Sequence, residues 1–191
     1  MKKIFIVPVL TVVLLMIFFK SEFTQASSPA DEPEFVKEFL GDIDEAESKL
    51  VQLAEAMPEG TYTWRPGEGV RSVSEVYLHI AWANYLWIKM SGGTVPEDAG
   101  FVSDFKKIGE WDTKTTNKTE IIAIIKKSFD ALKNTVKTFS QGDLNKEMEF
   151  FGTKSSLRGV LISGLGHIHE HLGQSIAYAR MNNVTPPWSK Q

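Results

Sequence analysis

Residues 155–182 read SSLRGVLISGLGHIHEHLGQSIAYARMN. Leu157, Leu161, Leu165, Ile168, Leu172, Ile176 and Ala179 recur at steps of three and four, the period of one helix face. The spacing predicts a helix over about 155–182 whose apolar stripe faces a core. His167 and His171 are four apart, so at about 100° per residue they share a side of the helix, on the shoulder of that stripe. His169 falls roughly 160–200° from both and faces elsewhere.

Working outward, three more stretches carry the same period. The first runs from about Glu34 to Met57 with Phe35, Phe39, Ile43, Leu50, Leu53 and Ala54, and Pro58 and Gly60 end it. The second, from about Ser72 to Met90, opens on a Ser72/Glu75 capping box and stops at Gly92-Gly93. The third, from about Asn117 to Phe139, begins with the cap pair Asn117 and Glu120. Four amphipathic helices with no sustained period-two alternation predict an all-α four-helix bundle. The connection between helices 2 and 3, Ser91–Thr116, is long for a bundle and is expected to cross its end or carry a short helix near 102–108. Lys146–Phe151 is read as a short extended piece, and the Pro186-Pro187 tail is placed so that Trp188 packs back on the bundle.

The N-terminus is read as targeting sequence. Lys2 and Lys3 precede the apolar stretch Ile4–Phe19, and Thr24-Gln25-Ala26 offers a cleavage site. That assigns 1–26 to a signal peptide, or to an uncleaved anchor, and 27–191 to a single domain exported to the periplasm or the exterior. The chain has no cysteine, so disulfides, thiolate ligands and a cysteine nucleophile are excluded. Losing Lys2, Lys3, Lys20 and Glu22 leaves 18 basic against 23 acidic side chains. A mildly acidic domain with no basic run is not built for nucleic acid. No membrane contact is expected beyond the N-terminal segment.

The chain holds four histidines, and the fourth, His79, lies in the second helix beside Val76, Ile80, Ala83 and Trp87. If that helix packs against the last one, His79, His167 and His171 converge as three neutral imidazoles. Such a set suits a divalent metal and leaves a coordination position open. Three histidines that merely pack are the alternative. The run His167-Ile168-His169-Glu170-His171 also fits the H-x-x-E-H pattern of inverted zinc proteases. Those enzymes need a downstream acidic ligand, and no Asp or Glu follows His171. The protease reading therefore fails.

Three stretches together resemble the DinB-like superfamily of four-helix-bundle metalloenzymes. Met57–Ser72 (MPEGTYTWRPGEGVRS) is similar to the family's first interhelical loop, His79-Ile80-Ala81 to its first ligand position, and His167-x3-His171-x-Gly173-Gln174 to its last-helix motif. Leu172 stands where the family often has arginine. The resemblance implies an up-down-down-up bundle that holds nickel or zinc through His79, His167 and His171. It also implies chemistry on a small-molecule substrate or thiol, as a metal-dependent S-transferase or hydrolase. A non-catalytic metal-binding or stress-associated envelope protein is the alternative, and homodimers occur among similar proteins. Glu75 is a candidate partner or base beside His79, and Trp82 and Tyr178 are candidate pocket walls.

Overall fold

The computed structural model describes residues 32–189, so the expected signal segment 1–26 lies outside the described residues. Four long helices form: α1 (Glu34–Ala56), α2 (Val73–Met90), α4 (Lys118–Val136) and α6 (Leu157–Met181). Two short ones, α3 (Ile108–Asp112) and α5 (Gln141–Leu144), and a hairpin of β1 (Glu147–Phe150) and β2 (Thr153–Ser156) fill the connections. The helix limits follow their caps. Ser72 Oγ accepts the Glu75 N–H while Glu75 returns a bond to the Ser72 N–H, closing the expected box. Asn117 caps α4, with its Oδ1 2.9 Å from the Glu120 N. Ser156 caps α6 one residue later than expected, because residues 153–156 are taken up by β2.

α1 packs on α4 and α6, and so does α2, which places α1 and α2 across the diagonal. Side-chain contacts fix the directions. Lys118 Nζ donates to the carbonyls of Glu55 and Met57, while Lys133 pairs with Asp44 and Glu47, so α4 runs antiparallel to α1. The acidic run on α1 is thus partly a clamp for α4 rather than wholly solvated. Asn84 Nδ2 donates to Ser128 Oγ, and a Cβ on Gly93 would meet Thr135, so α2 and α4 run parallel. Tyr178 reaches the Arg71 carbonyl while Gly164 sits under Trp87, so α6 opposes α2. The order is up-down-down-up.

Parallel α2 and α4 explain the long connection, which must travel back the length of α2, roughly 27 Å for 18 residues. It does so along α2. Trp82 Nε1 donates to the Val102 carbonyl at 3.0 Å and Trp111 Nε1 to the Leu78 carbonyl at 2.8 Å. A short 3-10 turn, Phe105–Lys107, lies within the expected 102–108 and runs directly into α3. Covered by α4, α6 and this connection, α2 is buried on nearly every side, and only Glu75, Lys89 and Met90 escape. A helix apolar all round is the sequence counterpart of such a position. The C-terminal turn Pro187–Ser189 lies against α1, but the Trp188 side chain stays 36% exposed rather than packing into the bundle. No helix among the described residues is long and apolar enough to cross a membrane.

Candidate metal centre

Antiparallel packing of α2 on α6 brings His79 level with His167 and His171. Their ring centroids are 5.2 Å (His79–His167), 4.8 Å (His79–His171) and 4.5 Å (His167–His171) apart. One nitrogen from each ring lies within 4.8 Å of the other two, a group that could hold a metal ion. His79 is buried and the pair on α6 is half-buried. His169 is exposed, and its Nδ1 sits 3.0 Å from the Leu165 carbonyl of its own helix.

A hydrogen-bond relay fixes the state of His171. The Arg71 carbonyl can only accept, so the Tyr178 hydroxyl, 3.0 Å away, donates to it. Tyr178 then accepts from Gln174 Nε2 at 2.9 Å, which turns Gln174 Oε1 toward His171 Nδ1 at 2.8 Å. An amide oxygen can only accept, so the imidazole hydrogen sits on Nδ1 and the Nε2 lone pair is free. Outer partners set the tautomer of metal-binding histidines in this way.

The free Nε2 of His171 faces His167 Nε2 at 3.2 Å. Two nitrogens about 2.0–2.1 Å from a tetrahedral ion stand about 3.3 Å apart, so this spacing fits a shared cation. His167 Nδ1 and His79 Nδ1 are buried without a hydrogen-bond partner. The nearest group to His79 Nδ1 is Asp112 Oδ2, at 3.7 Å. That oxygen accepts from Arg71 Nε at 2.8 Å, while Asp112 Oδ1 is buried and unpartnered. A carboxylate beside Nδ1 favours the hydrogen there and leaves Nε2 of His79 as its ligating atom. The donor set is therefore three imidazoles with a buried carboxylate behind one of them.

Glu75 does not reach the histidines. Its Oε2 takes the Ser72 N–H and its Oε1 takes Arg65 Nη2 at 2.7 Å. The carboxylate beside His79 is Asp112, which sequence reasoning missed, and no periodic signal marks it on a five-residue helix inside the connection. Tyr178 acts through the relay, and Trp82 stacks on the His79 ring at 6.3 Å. A cleft of about 550 Å³ adjoins the site, lined by Arg65, Arg71, Glu75, Asp112 and Gln174 among others.

Burial holds the His167 imidazolium well below its usual range, with added repulsion from His171, His79 and Arg71, and its pKa falls to about 3. Burial also lowers His171, against a raising bond from Gln174. Both groups are therefore ready as neutral ligands at pH 7. An unfolded His167 titrates near 6.5, so below that pH the unfolded chain binds the extra proton first. The stability contributed by these rings is complete above about pH 6.5 and is lost as pH falls toward 3. Thermal melts of metal-free protein from pH 8 to 4 should show this decline. His167→Asn should flatten it, and an unchanged slope would refute the assignment.

The sequence model of the DinB superfamily matches residues 42–175. Several solved structures share the fold. A DinB-like protein from Bacillus cereus has a TM-score of 0.67 at 17% identity, covering 79% of this chain and 95% of that one. A DinB-like protein from Bacillus subtilis has a TM-score of 0.58 at 20% identity, covering 83% and 99%. A conserved protein from Enterococcus faecalis has a TM-score of 0.59 at 13% identity, covering 76% and 95%. No curated protein matches the chain. The match over residues 42–175 spans well over half of the 191 residues, and the chain belongs to the DinB superfamily.

Proposed function

We propose that this protein is an exported metalloprotein whose His79, His167 and His171 hold a divalent cation, nickel or zinc, and that it transfers a thiol to, or hydrolyses, a small substrate. One observation carries the reading. The relay from the Arg71 carbonyl through Tyr178 and Gln174 leaves the His171 Nε2 lone pair free, 3.2 Å from His167 Nε2. Two packed histidines could share one hydrogen bond there, but His79 brings a third ring nitrogen within 4.8 Å of both, a convergence that a single hydrogen bond does not call for and a cation does. The export part rests on Lys2, Lys3 and the apolar stretch 4–19.

When bound, an open-position divalent cation lowers the pKa of a coordinated thiol or water and supplies a nucleophile near neutral pH. The protein's own groups prepare the site. Gln174 and Tyr178 keep the His171 hydrogen on Nδ1. Asp112, held by Arg71 Nε, places a negative charge 3.7 Å behind His79 Nδ1. Asp112 and Arg71 also line the adjoining cleft, so the free nitrogens of Arg71 can meet a polar end of the substrate.

Titrating the cobalt-substituted protein with a small thiol tests the reading. A new charge-transfer band with a saturable, one-site dependence is the expected result. A cobalt spectrum indifferent to thiol and to pH would mean a closed site, and the protein would then be a non-catalytic metal binder.

A further inference from the structure

Aromatic rings run from one proposed ligand to another around the flank of the site away from Arg71. The chain starts at His79, passes to Trp82 (6.3 Å between centroids), Phe105 (5.3 Å), Phe151 (6.2 Å), Phe150 (4.6 Å) and Trp87 (5.4 Å), and ends at His167 (6.2 Å). These rings come from four separate elements: α2, the long connection, the hairpin and, at His167, α6. Such centroid separations are those of interacting aromatic pairs.

Two members of the arc are held out of the core. Phe105 is 53% and Phe151 62% exposed, although each touches another aromatic ring. Phe151 sits at the hairpin tip with φ +46°, followed by Gly152 at φ +77°. A two-residue hairpin loop of this kind favours Asn-Gly or Gly-Gly, and a bulky side chain seldom adopts the left-handed region. Backbone strain that serves to present an exposed ring is a mark of binding surfaces. Charge, by contrast, is gathered on the other flank, where Arg65, Arg71, Glu75 and Asp112 line the cleft.

We infer that the substrate carries an aromatic or similarly flat apolar group next to its metal-binding atom, and that this group lies on the arc, against Phe105 and Phe151. The inference rests on the reading of the three histidines as an open metal site. The histidines have the charged cleft on one side and, on the other, Trp82 against His79 and Trp87 against His167, with Phe105 and Phe151 at the exposed rim beyond them. An apolar ring fits only the second.

Two probes with one chelating head separate the contributions: acetohydroxamate, bearing a methyl group, and benzohydroxamate, bearing a phenyl. Both are titrated into the cobalt-loaded chain and followed by the visible cobalt bands. Benzohydroxamate is expected to bind at least about tenfold more tightly, the scale of one added aromatic contact with its buried area. In the double variant Phe105→Ala/Phe151→Ala that preference should fall to within about twofold, with acetohydroxamate affinity and cobalt content unchanged. Both side chains are more than half exposed and lie outside the core, so the variant should fold, and unchanged cobalt content checks that it does. Equal binding of the two probes to the wild type, or a phenyl preference that survives the double variant, overturns the inference and leaves the open site intact. If neither probe alters the cobalt spectrum, the open-site reading itself fails and the aromatic subsite falls with it.

Discussion

His79→Ala is expected to abolish stoichiometric binding of nickel or zinc while the bundle stays folded. The remaining two imidazoles come from a single helix turn and leave the cation without its α2 anchor. Changing a group that only orients a ligand costs about 10–100-fold in affinity, so deleting a ligand should exceed 100-fold. Asp112→Asn supplies the intermediate case. It keeps the shape beside His79 but removes the negative charge, and should weaken the metal by about 10–100-fold. Competition against a chelating dye, with metal content measured on the same samples, orders the three proteins. If His79→Ala retains wild-type stoichiometry and affinity, the histidines merely pack and the proposed centre does not exist. If Asp112→Asn matches the wild type while His79→Ala does not, the centre stands and the role given to Asp112 is wrong.

The three histidines are legible in the sequence because helical spacing is local: four residues bring His167 and His171 to one side whatever surrounds them. The helix starts are legible for the same reason, since Ser72 and Asn117 cap through bonds spanning only three residues. Non-local events are harder to read. The apolar residues of α2 run nearly all round it, but nothing in that pattern says which element covers the side away from the bundle, which is the connection held by the Trp82 and Trp111 indole bonds. Asp112 reaches His79 across 33 residues of chain, and nothing in its local sequence distinguishes it from other acids at helix ends. Thr153–Ser156 reads as the approach to a helix, and only its pairing with residues 147–150 makes it a strand. Phe151-Gly152 keeps the glycine of the usual hairpin pair but has phenylalanine where Asn, Asp or Gly is favoured, so the turn that presents the aromatic arc carries only half of its usual sequence signal.

The largest loss of stability is expected from a residue remote from the metal. Phe129 is fully buried on α4, the helix that packs on both α1 and α2. Phe129→Ala removes a ring from a close-packed core and should cost about 3–5 kcal/mol, because the surroundings collapse only partly into the space. For a domain of this size each kcal/mol lowers the melting midpoint by about 2–4 °C, so a fall of about 6–20 °C is expected by circular dichroism. Saturating metal at a thousand times its Kd should add about 4 kcal/mol to the wild type. The same increment should appear in Phe129→Ala. The Asn84–Ser128 bond sets Phe129 level with the middle of α2, more than a turn beyond His79, and sites so separated usually add to within about 0.5 kcal/mol. His79 is also secured independently of α4, by the packing of α2 on α6 and by the Trp111 indole on the Leu78 carbonyl. A metal-induced gain that shrinks by more than about 1 kcal/mol in the variant would exceed that additivity margin. It would show instead that the packing of α4 on α2 sets the position of His79, and that the centre cannot form without it.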